Sequence, residues 1–202
     1  FIDSLKSLKL IKLTIETINI TLLAGGLAIG GPPLILSIFP TKFGNRVAEG
    51  FWLFCRLIPP PLLALLFSLC INPSLSLAAL VLGINNMGVM GKVLKEGIDS
   101  NEDSICTAIE SLGANKSFAW IYGKLSMQSK PYIAYSCYRI DVILRETALV
   151  GVVGGVGLGW QLQESLSSFA WVEVFIVVIS FTGLSIIGES ISQRLKLHLG
   201  SN

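Results

Sequence analysis

The sequence predicts an all-α integral membrane protein with five membrane-crossing helices and one polar, amphipathic island between the third and fourth. Two observations carry this. Only 14% of the 202 residues are charged and 52% are hydrophobic, with a mean hydropathy of +0.70, whereas a soluble domain carries about 25% charged residues. The apolar runs are also long: residues 17–39 are 23 positions without a charge, enough to cross a hydrocarbon core about 30 Å thick.

The net charge of +2 is no signal for nucleic acid on such a chain, because basic residues beside membrane spans set topology. Cys55, Cys70, Cys106 and Cys137 are scattered singly, with no Cys-x-x-Cys, so they are expected to be packing residues rather than a metal or redox centre. His198 stands alone, and no metal site is expected. Lys6, Lys9 and Lys12 precede an apolar run much longer than the h-region of a signal peptide, so no cleavable signal is expected.

In chain order, residues 1–12 place Ile2, Leu5, Leu8 and Lys9 on one helical stripe, as an interfacial lead-in helix does. Residues 13–197 form the transmembrane domain, and 198–202 a tail. The first span, 17–39, contains Gly25-Gly26 and Gly30-Gly31-Pro32-Pro33; the glycines invite close helix packing and the prolines a kink. Residues 40–50 read as a polar loop. The second span, 51–71, carries Arg56 near its start and then Pro59-Pro60-Pro61. Asn72-Pro73-Ser74 is a tight turn. The third span, 75–91, is interrupted by Gly83, Asn85, Asn86 and Gly88. The fourth, 131–153, contains Arg139, Asp141, Arg145 and Glu146, and ends in a glycine-rich stretch. A polar loop, 160–168, leads to the fifth span, 169–188.

The island covers 104–127. Ile105, Ala108, Ile109 and Leu112 recur at helical spacing, with Glu102, Asp103 and Ser104 supplying acidic and capping groups ahead of them. Gly113 follows where helices commonly stop. Phe118, Ile121, Tyr122 and Leu125 repeat the spacing, so a second short amphipathic helix is expected. This is the stretch expected to meet something outside the membrane. Placing it in the cytoplasm puts Lys42, Arg46, Arg56, Lys92, Lys95, Lys116, Lys124, Lys130, Arg194 and Lys196 on that side, ten against Lys6, Lys9 and Lys12 on the other.

No catalytic constellation emerges. The chain lacks a phosphate-binding loop, since Asn86 stands where Gly91-Lys92 would need an earlier glycine, and it lacks His-Glu-x-x-His and Gly-x-Ser-x-Gly. No nucleotide or other cofactor is therefore expected on this chain. Gly151, Gly155 and Gly159 recur at the small-xxx-small spacing of helix packing. Arg139, Asp141 and Arg145 are the candidate substrate-pathway residues, because ionisable groups inside a membrane segment are functional by default. Arg139 and Asp141 do not share a face. Asp141 and Arg145, four apart, can pair. Arg145 either is neutralised by Asp141 or faces a wet cavity that attracts an anion; alternatively the helix begins below the bilayer and leaves Arg139 and Asp141 at the interface.

The island resembles the cytoplasmic coupling segment of binding-protein-dependent ABC importer permeases, whose pattern is Glu-Ala-Ala, three residues, Gly, nine residues, Ile-x-Leu-Pro. Ala108, Gly113 and Leu125 match; Thr107, Ile109, Gly123 and Ser126 depart from it. Neighbouring stretches resemble the phosphonate-type branch: Arg56-Leu57-Ile58-Pro59, Gly88-Val89-Met90-Gly91-Lys92, Tyr138-Arg139-Ile140-Asp141-Val142 with Arg145, and Gly154 to Gly159 followed by Trp160-Gln161-Leu162-Gln163. The likeness extends over residues 13–197. It implies a five-helix type I, MetI-like permease core in the bacterial inner membrane, used as a homodimer. It implies a separate ATPase, carrying the ATP-Mg, docked through Thr107, Ala108, Ile109, Leu112, Gly113 and Leu125. An extracytoplasmic binding protein would deliver a small phosphorus oxyanion: phosphonate, phosphite or phosphate. Members usually carry a further N-terminal helix, which would account for Phe1 and the three misplaced lysines. The alternatives are a permease for another solute, such as methionine, and a membrane enzyme or structural membrane protein.

Overall fold

The computed structural model describes residues 9–38, 42–100 and 104–200. Those residues form helices and connecting turns, with no strand among them. In chain order they are α1 (Leu10–Ile38), α2 (Lys42–Leu57), α3 (Pro60–Ser68), α4 (Leu75–Asp99), α5 (Ser104–Ser111), α6 (Lys116–Ala119) running into a wide π-helical turn (Trp120–Leu125), α7 (Ser129–Gly154), α8 (Gly157–Ser167) and α9 (Trp171–Gly200). Three helices, α1, α4 and α9, are each long and apolar enough to cross a membrane. The bent pairs α2–α3 and α7–α8 raise the number to five if each pair is one span. The expected lead-in stripe at Ile2, Leu5 and Leu8 lies outside the described residues, as do Glu102 and Asp103.

The hydrophobic interior gathers around α4. Most of its length is buried inside the protein, whereas α9 is the least covered of the long helices and presents Phe175, Ile179, Ile186 and Ile187 outward, as a lipid-facing helix does. Missing side chains let α1 and α4 approach closely. A Cβ on Gly31 would stand 2.3 Å from the sulfur of Met87, and one on Gly83 2.6 Å from Leu27. α2 crosses the same helix lower down, where Gly91 lies against the Trp52 ring and Gly88 against the Trp52 carbonyl. The Gly-Val-Met-Gly stretch is therefore the seat of a buried tryptophan.

Three expectations need correction. The polar stretch 40–50 is helical from Lys42 onward, because it belongs to an amphipathic helix rather than a loop. The second span is not continuous: α2 and α3 meet at 91°, since prolines 59 to 61 cannot donate the backbone hydrogen bonds that would continue the helix. Asn85 of α4 accommodates the break, its side-chain amide donating to the carbonyls of Cys55 (3.0 Å) and Ile58 (2.9 Å). An asparagine inside an apolar helix here serves the orphaned carbonyls of its neighbour. Residues 160–168 likewise are helix almost throughout, within α8. Its first amides are taken by α1: Gly157 N–H donates to Glu16 and Leu158 N–H to Thr17 Oγ1 (3.0 Å).

The glycine stripe is also rearranged. α7 ends with Gly155 at φ +66° and α8 begins at Gly157 with φ +70°, both in the left-handed region that favours glycine. The two helices diverge by 57°. Gly151, Gly155 and Gly159 thus do not line one helical face. Gly151 and Gly159 pack against each other across the bend, where a Cβ on Gly151 would lie 3.3 Å from the Gly159 Cα.

Candidate functional site

α7 carries four charged side chains in its middle third, and the 3.6-residue turn sorts them into two sets. Arg139 and Glu146 are seven apart and share a face; Asp141 and Arg145 are four apart and share another. The first set points at α4. Arg139 Nε donates to Asn86 Oδ1, Asn86 Nδ2 donates to Glu146 Oε2 at 2.7 Å, and Arg139 Nη2 reaches Glu146 Oε1 at 3.4 Å. Asn86 is fully buried and also donates to the Leu82 carbonyl, so both ends of its amide are used. The result is a closed ring of donors and acceptors joining α4 to α7.

The second set is open. Arg145 Nη2 donates to Asp141 Oδ2 at 2.6 Å and lies 3.5 Å from Glu189 Oε2 on α9. Asp141 is 5% exposed, but the Arg145 and Glu189 side chains are each 53% exposed. Gly188 lets α9 come against Leu144 and Asp141, and one turn further Ser192 Oγ donates to the Cys137 carbonyl. Asp141 Oδ1 is buried without a hydrogen-bond partner, and Asp141 is among the residues lining an apolar groove of about 280 Å³ between α1, α7 and α9. A charge facing hydrocarbon is costly and normally turns to a bundle interior or a water-filled cavity. On a membrane helix the half-exposed pair calls for water or protein on that face.

By sequence, Arg139, Asp141 and Arg145 form one group of candidate pathway residues. The structure brings Asp141 and Arg145 into contact and turns Arg139 away, into a ring with Asn86 and Glu146. Glu189, the residue just beyond the expected fifth span, carries no signal other than being an acid beside an apolar run.

The island stands apart from both sets. α5 and the α6–π segment pack on each other: Cys106 Sγ contacts the Ala119 carbonyl, and Gly123 lies against Cys106. Gly113 turns the chain between them at φ +90° with open space around it. Leu112 is 87% exposed, and Ile105, Phe118 and Tyr122 are exposed as well. Thr107 is exposed, Ile109 half-buried and Leu125 packed against the core. No three His, Cys, Asp or Glu residues are gathered into a metal-binding group among the described residues.

No protein-family profile matches the chain. Sequence relatives do. A protein named as a cryptic phosphonate transport system permease, PhnE2 of Escherichia coli K12, is 31% identical over 119 residues, which are 98% of that protein and 59% of this chain. The chain belongs to the ABC importer permease family. A permease assigned by name to a phosphite transport system, HtxE of Stutzerimonas stutzeri, is 27% identical over 79% of this permease and 61% of its own length. The phosphate-import permease PhnE of Mycolicibacterium smegmatis is 26% identical over 91% of this permease, which spans only 36% of that protein. The fold agrees. The crystal structure of an amino acid ABC transporter with histidines superposes with a TM-score of 0.76 over 98% of both chains at 20% identity. The inward-facing MetNI methionine transporter gives 0.69 over 94% and 95% at 16% identity. The permease is thus a multi-pass protein of the bacterial inner membrane, with the MetI-like type I core.

Proposed function

We propose that this permease is the membrane pathway of an ATP-driven importer for a small phosphorus oxyanion, phosphonate, phosphite or phosphate. Two copies form the pathway, an extracytoplasmic binding protein delivers the anion, and a separate ATPase holds the ATP-Mg. The observation that carries the substrate class is that the named relatives are assigned to phosphite, phosphate and phosphonate transport. A methionine-type solute finds support in fold likeness alone.

The geometry supplies parts suited to this work. The exposed apolar edge of Leu112, Phe118 and Tyr122, on two short helices turned at Gly113, is the shape a helix-in-groove contact with an ATPase requires. The segment joins α4 to α7 in the chain, and these two helices are tied together higher up by the Arg139–Asn86–Glu146 ring. A push on the segment would therefore move α4 and α7 as one body, the rocking that alternating access needs. Arg145, half-exposed on another face of α7, is the group placed to attract an oxyanion, since its planar fork suits two oxygens at once.

Reconstitution of the permease with its ATPase and binding protein in proteoliposomes, followed by ATP-dependent uptake of labelled phosphate, phosphite and methylphosphonate, tests the reading. Uptake of at least one of the three is expected. Uptake of methionine with none of them would overturn it.

A further inference from the structure

We infer that Glu189 is a displaceable counter-ion of Arg145 and that it sets the charge of the oxyanion the permease passes most readily, favouring singly over doubly charged anions; the inference rests on the proposed importer function. Two carboxylates address one guanidinium, and they do so unequally. Asp141 is buried, sits one turn away on the same helix and holds Nη2 at 2.6 Å. Glu189 comes from another helix, is half-exposed and stands 3.5 Å away, beyond the usual length of a charge-assisted hydrogen bond. It is steadied otherwise by Gln193, which donates to its Oε1 at 3.3 Å. Of the two contacts, the Glu189 contact is the one that yields.

Both carboxylates use Nη2, so among the described residues the Nε and Nη1 donors of Arg145 have no acceptor. An arriving oxyanion that displaces Glu189 takes the freed Nη2 hydrogen together with the neighbouring unpaired N–H, a parallel pair along one edge of the guanidinium. It then meets an environment with one positive and two negative groups, because Asp141 already neutralises Arg145 and Glu189 is the surplus charge. An anion with two charges is repelled by that surplus twice as strongly as an anion with one.

The test compares wild type, Glu189→Gln and Glu189→Asp, each assembled with the same ATPase and binding protein in proteoliposomes at one neutral pH. The probes are inorganic phosphate, partly doubly charged there, and hypophosphite, which has a single ionisable oxygen. The ratio of phosphate to hypophosphite uptake should rise severalfold in Glu189→Gln, up to about fivefold where phosphate enters wholly as the dianion, the factor set by one unit charge at about 4 Å in water, and stay near wild type in Glu189→Asp. If hypophosphite is not imported, the ratio is read for phosphate itself, as uptake at about pH 8 over uptake at about pH 6, where the dianion and the monoanion dominate in turn. Wild type importing neither probe nor any other phosphorus oxyanion would bring down the importer function itself. Wild-type import with an unchanged ratio in Glu189→Gln overturns the inference alone. So does loss of both uptakes in an assembled Glu189→Gln complex, which would make Glu189 a fixed structural partner. If Glu189→Gln does not assemble, Glu189→Ser is read the same way, and failure of both to assemble counts against a displaceable role.

Discussion

Arg139 and Arg145 stand on one helix, about 120° apart around its axis, and their surroundings differ. The Arg139 side chain is 14% exposed and sits in a closed ring with a fully buried amide and Glu146. The Arg145 side chain is 53% exposed, with one firm partner and one loose one. An ion pair taken out of water must be fully satisfied to persist, and removal of one member leaves an uncompensated charge. Only the Arg145 end of the second pair is half-exposed, so its guanidinium stays open to a ligand while the Asp141 beneath it is buried. The first arrangement suits a fixed clamp between α4 and α7, the second a site of exchange.

The largest expected effect comes from breaking the clamp. Arg139→Gln strands the Glu146 carboxylate inside the span and should destabilise the folded permease by about 3–5 kcal/mol, read as a drop in the thermal unfolding midpoint in detergent. Adding Glu146→Gln should recover most of that loss. If the double variant is no better than the single, the ring is not a unit.

Next come two changes that disturb the same helix without altering charge. Gly91→Ala drives a Cβ to within 2.3 Å of the Trp52 ring and should cost about 1–3 kcal/mol as overpacking. Asn85→Leu removes the donor to the Cys55 and Ile58 carbonyls at the α2–α3 break and should cost about 1–3 kcal/mol. Both should lower the unfolding midpoint and leave substrate preference unchanged.

The smallest effect on stability belongs to the exposed positions. Leu112→Asp alters a side chain that touches almost nothing within the chain, so unfolding should stay within about 0.5 kcal/mol of wild type while co-purification of the ATPase and uptake are lost. Normal uptake in this variant would reduce 104–127 to a connector.

The fold class was legible in composition and run length, because burying a membrane span demands both. Helix ends were less so. Pro59 announces a break, but the 91° turn depends on Asn85, 26 positions away, which reads locally as a mere interruption of an apolar helix. The α8 helix was hidden for a similar reason: its N-terminal amides are capped from Glu16 and Thr17 on α1, a contact with no local sequence trace. In the site, the i, i+4 pair of Asp141 and Arg145 could be foreseen because both members lie on one helix. The partners of Arg139 and the second partner of Arg145 are tertiary, supplied by Asn86 and Glu189, and neither residue type signals them.

The measurement that most directly tests the division of labour on α7 is a paired one: unfolding midpoint and ATP-dependent oxyanion uptake for Arg139→Gln and Arg145→Gln in the same assembled transporter. Half of the Arg145 side chain meets water, but its loss leaves the buried Asp141 carboxylate without its cation, so Arg145→Gln should lower the midpoint by less than Arg139→Gln does and import nothing. Arg139→Gln should unfold at least about 6 °C lower. Normal uptake by Arg145→Gln, or an equal loss of stability in both variants, would contradict the account.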